Sequence, residues 1–143
     1  MSVEAGAIVL LGRILFVIFF GAVAGIGHIR RAEMMKGYAS SQGFPIPYLA
    51  GWPAGVWLIA ASLSILLGVW PDIGTLMIAA FVTPAALFFH RFWTLEDEMQ
   101  KQTQTQLFYR NMIALGASLM LFGMLVTLGP ELQFTITAPL LSF

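Results

Sequence analysis

Residues 8–31 read IVLLGRILFVIFFGAVAGIGHIRR. An apolar run long enough to cross ~30 Å of hydrocarbon as a helix, which takes about 20 residues, stops at a pair of arginines. Backbone groups cannot stay unpaired in lipid, so such a run is a helix rather than a loop. The pattern recurs along the chain. Four stretches qualify as spans, at about 5–27, 49–69, 73–93 and 107–128. The fold expected is all-α: a transmembrane four-helix bundle, one membrane domain over residues 1–143.

The composition agrees. Only 10% of the 143 residues are charged and 59% are apolar, whereas a soluble domain carries about 25% charged residues. Net charge is zero, and no basic patch is large enough to suggest nucleic acid. Cysteine is absent, which excludes thiolate catalysis, disulfides and thiolate metal sites together. Ile14 to Phe20 followed by Ala22-Val23-Ala24 has the outline of a cleaved leader. Glu4 stands where the basic leader residues belong, so this stretch is read as the first span.

The basic residues orient the chain. Arg30, Arg31 and Lys36 follow the first span, and Arg91, Lys101 and Arg110 frame the gap between the last two. Four spans put both gaps on one side. The positive-inside rule makes that side cytoplasmic, with loops 28–48 and 94–106 inside, both termini outside and the inner (plasma) membrane as location.

Shorter signals refine the layout. Arg30 to Gln42 reads as a short amphipathic helix at headgroup level, between helices 1 and 2. Gly43 is its stop, and Phe44-Pro45-Ile46-Pro47 is extended. Asp72 followed by Thr75 reads as an N-cap arrangement for the third span. Thr94-Leu95-Glu96-Asp97 resembles a capping box before the fourth, which begins ahead of the membrane. Pro84, in mid-span, predicts a kink.

Helical spacing groups the rare polar side chains. Gly21, Gly25 and His28 share a stripe, as do Ala79, Thr83, Ala86 and His90. His28, His90 and Asn111 lie at one depth, near the cytoplasmic ends of their helices, with Trp93 beside them. Three readings stay open. Two imidazoles could flank a haem iron, although nothing else supports haem and it is not expected. A quinone headgroup needs a donor or two beneath aromatic walls, which His90 with Phe89, Phe92 and Trp93 offers. The plainest reading is hydrogen bonding between helices and anchoring at the headgroups. Two histidines without a third ligand do not make a metal site.

Arg13 is the basic residue deepest inside a span, roughly 12 Å inward from Ala5 at 1.5 Å per residue. A charge there is a functional-site candidate, able to hold an anionic group or a quinone oxygen. Its structural alternatives are to snorkel outward or to pair with Asp72. The candidate quinone or partner site is therefore His28, His90, Trp93, Arg13 and Asn111. No nucleophile–base pair, phosphate loop or carboxylate dyad is present, so the sequence leaves open whether the protein is an enzyme.

Several segments in order resemble the DoxX family of membrane proteins. They are Gly12-Arg13, the glycine-rich Gly21 to Ile29, and Tyr38 to Pro47 with its Gly43-Phe44-Pro45-Ile46-Pro47. Phe89-His90-Arg91-Phe92-Trp93, a glutamine-containing gap and Phe108-Tyr109-Arg110-Asn111 complete the series, so that the resemblance runs from about Gly12 to Gly123. Two positions depart from it. Relatives usually carry a lysine at the place of His28, and many have a glutamate near Val56, Trp57 and Leu58. The resemblance implies a four-helix integral membrane protein. Some relatives are linked to quinone-coupled thiosulfate oxidation and others to membrane complexes handling oxidative or thiol stress. The functional expectation is an accessory or scaffold subunit of a larger redox-linked membrane complex, with other subunits and lipid as partners and homo-oligomers allowed. The alternative is a quinone-interacting oxidoreductase subunit of thiosulfate:quinone type. A small-solute transporter is the weakest expectation, because inverted repeats are not evident.

Overall fold

The computed structural model describes residues 1–141, and those residues form helices and connecting turns with no strand. Helix α1 runs Val3–Arg30, capped by Ser2, whose hydroxyl accepts from the Ala5 amide at 3.2 Å. Helix α2 is Ala32–Ser41. Helix α3 is Trp52–Leu67, entered through a 3-10 turn at Pro47–Ala50. Helix α4 starts at Pro71–Pro84 and continues as π-helical turns through Ala85–Phe89. Helix α5 is Glu98–Leu128.

Three of these segments are long and apolar enough to cross a membrane: Val3–Arg30, Pro71–Thr94 and Glu98–Glu131. Helix α3 is a shorter apolar helix of 16 residues, about 24 Å at 1.5 Å per residue. It is shorter than the 49–69 expected because Tyr48 to Ala50 wind as a 3-10 turn at its start and Gly68 stops it in the left-handed region at φ 65°. The result is an all-helical membrane bundle of four apolar helices, with the short α2 between the first two.

Packing runs in a row. Helix α1 packs on α3, α3 on α4 and α4 on α5, while no comparable seam joins α5 back to α1. The buried core comprises Val17, Phe20, Leu58, Ala61, Ile65, Ile78 and Val82. Where α1 crosses α3, glycines replace side chains. A Cβ on Gly55 would lie 2.5 Å from the Gly25 carbonyl oxygen, and one on Gly25 would lie 2.8 Å from Ile59. Lipid tails are as apolar as leucine, so close van der Waals contact of this kind is what joins helices in a membrane.

Helix α2 closes with the bonds that Gly43 was expected to permit. Gly43, at φ 71°, donates to Ser40 at 3.1 Å and Phe44 donates to Ala39 at 3.0 Å, which is a Schellman ending. Phe44 then packs edge-on against Phe88, and Tyr38 stacks on Phe89, with centroids 5.2 and 5.7 Å apart. These contacts seat α2 against the π-helical end of α4.

Two sequence-based caps are corrected. Asp72 does not cap α4: Trp70 stands at the cap position, Pro71 is in the first turn, and the Asp72 carboxylate accepts the amides of Leu140 and Leu141 at 2.9 and 2.8 Å. Thr94 does not cap α5, because Phe92–Thr94 form a 3-10 turn. Asp97 takes that role, accepting the Gln100 amide at 2.8 Å. In both places a competing partner, a tail amide or a tighter turn, claimed the side chain first.

Candidate functional site

A cavity of 1110 Å³ lies between α1, α3, α4 and α5, with α2 contributing Met34, Met35 and Tyr38 to its wall. Pockets for drug-sized ligands hold about 300–1,000 Å³, so a ring with part of an apolar tail fits. Most of the wall is apolar: Phe16, Phe19 and Phe20 from α1, Trp57 from α3, Phe81 and Phe89 from α4, Ala114 and Ala117 from α5. Both π-helical segments contribute, Ile18–Gly25 through Phe19 and Ala24, and Ala85–Phe89 through Phe89. A π turn widens the helix by one residue and re-aims the side chains beyond it. Pro84 accounts for the second segment, since it lacks the amide that α-helical bonding would use there. The first has no such residue.

Three of the five sequence-selected residues meet on this wall: His28, His90 and Asn111. The His28 Nδ1 donates to the Ala50 carbonyl at 2.6 Å, tying the end of α1 to the turn that opens α3. The His90 Nδ1 donates to the Gln104 Oε1 at 2.8 Å, tying the end of α4 to α5. A carbonyl only accepts, so His28 carries its proton on Nδ1 and keeps Nε2 for another partner. His90 has the same arrangement. Asn111 donates from Nδ2 to Leu107 at 3.0 Å, which leaves its amide oxygen and a second N–H. Each group is thus held in place by one bond and retains a spare one.

Trp93 does not join them. It packs edge-on against Phe92 and Phe108, at 5.2 and 5.6 Å, half exposed at the rim. Arg13 lies at the opposite end and corrects both structural expectations: it neither snorkels nor pairs with Asp72. Its side chain is 1% exposed. Nε donates to Ile65 at 2.7 Å, Nη2 to Leu66 at 2.6 Å and Nη1 to Phe134 at 3.0 Å. Ile65 and Leu66 sit in the last turn of α3, where carbonyls lack intrahelical partners and the helix dipole is negative. Arg13 therefore satisfies the terminal carbonyls of α3, next to its Gly68 stop.

Three more polar side chains line the cavity wall: Arg110, Trp57 and Tyr38. Arg110, by sequence a flanking basic residue, lines the cavity with its guanidinium carbon 5.8 Å from the Phe19 ring centroid. Its place next to Asn111 was the available signal. Trp57 lines the wall while its indole N–H donates to Met77 at 2.8 Å. Tyr38 donates from its hydroxyl to Phe89 at 3.2 Å. Burial raises the pKa of that hydroxyl and the nearby Arg91 lowers it in part, so Tyr38 is a neutral donor at physiological pH. Among the described residues no group of three or more histidine, cysteine or acidic side chains is placed to hold a metal.

No curated protein and no solved structure matches the chain. The family model for DoxX matches residues 8–91, more than half of the sequence. That segment takes in α1 to α4 with both histidines, and it stops before α5 with Arg110 and Asn111. The chain belongs to the DoxX family.

Proposed function

We propose that this protein is a redox-linked component of the inner membrane that holds a quinone-type ring in the cavity. One observation carries the reading: two histidines 62 positions apart in sequence, each anchored through Nδ1, line the same otherwise apolar chamber. A quinone presents two carbonyl oxygens that accept hydrogen bonds, and a quinol presents two hydroxyls that donate them. A neutral imidazole with its proton on Nδ1 accepts a quinol hydroxyl at Nε2, and an imidazolium donates to a quinone oxygen. The Asn111 amide can do either. The site thus has hydrogen-bonding chemistry for both redox states, and Phe81 and Phe89 supply flat apolar faces.

The test is quinone content. Protein purified in mild detergent is expected to carry quinone, which His90→Ala loses. A wild-type extract without quinone that also fails to bind added quinone sinks the reading. The companion reading, an accessory subunit of a larger assembly, is supported by the small size and by the family's links to membrane complexes. Native purification with mass spectrometry tests it, and a mass equal to monomer or homo-oligomer removes it. The basic loops support a cytoplasmic placement of the cavity end. Single cysteines at Ser2 and Thr103 are expected to label from opposite sides, with Thr103 inside.

A further inference from the structure

Arg110 is the only lysine or arginine on the cavity wall, and no aspartate or glutamate shares that wall among the described residues. It sits three positions after Leu107, in the apolar part of α5. The described residues give it no hydrogen bond and no ion pair, only the face of Phe19. Arg110 is exposed, and a ring face balances charge on one side of a guanidinium while leaving its in-plane N–H donors open to a ligand. An arginine within a span with unspent donors is a binding candidate by default.

Its position says from where a ligand comes. Phe19 belongs to α1 and Arg110 to α5, the two helices that lack a direct seam. Around them Leu15, Phe19 and Ile113 line the cavity and are also exposed on the outer surface. The cavity therefore opens sideways toward lipid, with one cation at its mouth and an apolar interior behind it. A planar guanidinium matches two oxygens of a carboxylate or phosphate at once.

We propose that the mouth between α1 and α5 binds an acidic amphiphile, its anionic oxygens on Arg110 and its chain along the cavity wall. The proposal rests on the cavity being a ligand site, as above, but not on that ligand being a quinone. The anion has two sources with the same chemistry, a free fatty acid or an acidic phospholipid.

The experiment uses the full chain in neutral phosphatidylcholine nanodiscs. Doxyl-labelled stearate and its uncharged methyl ester are titrated at a pH where the acid is ionised. The readout is quenching of Trp57, isolated by subtracting a Trp57→Phe control. The acid is expected to bind about tenfold tighter than the ester, the scale of one charge-assisted contact. Arg110→Gln should make the two equal, and Arg110→Lys should restore part of the difference. A parallel arm compares doxyl-labelled phosphatidylglycerol with phosphatidylcholine, and a preference for the acidic member there names the phospholipid as source. Equal quenching within both pairs in the wild type overturns the proposal, as does an acid preference that survives Arg110→Gln. If the variant does not fold, the wild-type contrasts decide alone. A short-chain quinone added separately keeps the two readings apart: its failure to bind removes the quinone and leaves the acid result standing.

Discussion

The two ends of the bundle use the same scarce resource, a polar side chain in an apolar helix, in opposite ways. At the end that holds the N-terminus and residues 132–141, Arg13 and Asp72 are buried and committed. Arg13 donates three bonds to backbone carbonyls, Asp72 accepts two amides, and Ile136 and Thr137 donate to Leu67 and Gly68 beside them. At the other end, among the described residues, His28, His90 and Asn111 each make one anchoring bond, Arg110 makes none, and all four face a 1110 Å³ chamber. A polar group in a membrane that has spent its donors and acceptors on backbone is a clamp. One that has spent part of them is a candidate site. Burial alone misleads here, because the most buried charges are the structural ones.

The largest effect is expected at the clamp. Arg13→Met leaves Ile65, Leu66 and Phe134 without a donor and should cost about 3 kcal/mol of stability, read by denaturant unfolding in detergent. A loss below about 1 kcal/mol would mean that the carbonyls find other donors, and the clamp reading would fall. Next is the joint between the two ends. Gly55→Val places carbon against the Gly25 carbonyl and Ile29, so α1 and α3 must separate at a cost of about 2 kcal/mol. Ligand binding should weaken with it, because Gly25 and Gly55 flank the Ala24 and Ala54 wall positions. Asp72→Asn keeps one acceptor and turns the other into a donor facing an amide, for about 1–2 kcal/mol. Its signature is faster proteolysis within residues 132–141, with cavity binding unchanged. The smallest change in stability is expected at the site itself. His90→Ala should alter stability by no more than about 1 kcal/mol while quinone affinity drops about tenfold. A large loss of stability there would reassign His90 to the clamp class.

Much of this contrast can be read from the sequence, and the remainder has a physical reason for being hidden. Hydrophobic run length locates the helices because the bilayer imposes it, and a 3.6-residue period with a depth count brings His28, His90 and Asn111 to one level. Arg13 is visible as an anomaly, but its partners are not. They are backbone carbonyls at the end of α3 and in the tail, and a carbonyl has no residue identity to search for. The same holds for Asp72, whose partners are the amides of Leu140 and Leu141, 68 and 69 positions away. The π turns at Ile18–Gly25 come from a shift in backbone bonding that no residue there announces, whereas Pro84 at least marks the second set. Arg110 was hidden by its company: among other basic residues at a span end it passes for an orienting charge. Only the missing seam between α1 and α5 shows that it faces a cavity.

The proposed site places a lipophilic ring at the histidine end, with no contribution from the arginine–aspartate end. The most direct measurement titrates a short-chain quinone into wild type, the His28→Ala/His90→Ala double variant and Asp72→Asn, with Trp57 quenching as the readout. Saturable binding that is lost in the histidine variant and kept in Asp72→Asn is the predicted result. Binding that persists without both histidines, or a folded wild type that shows no saturable quenching, would contradict it.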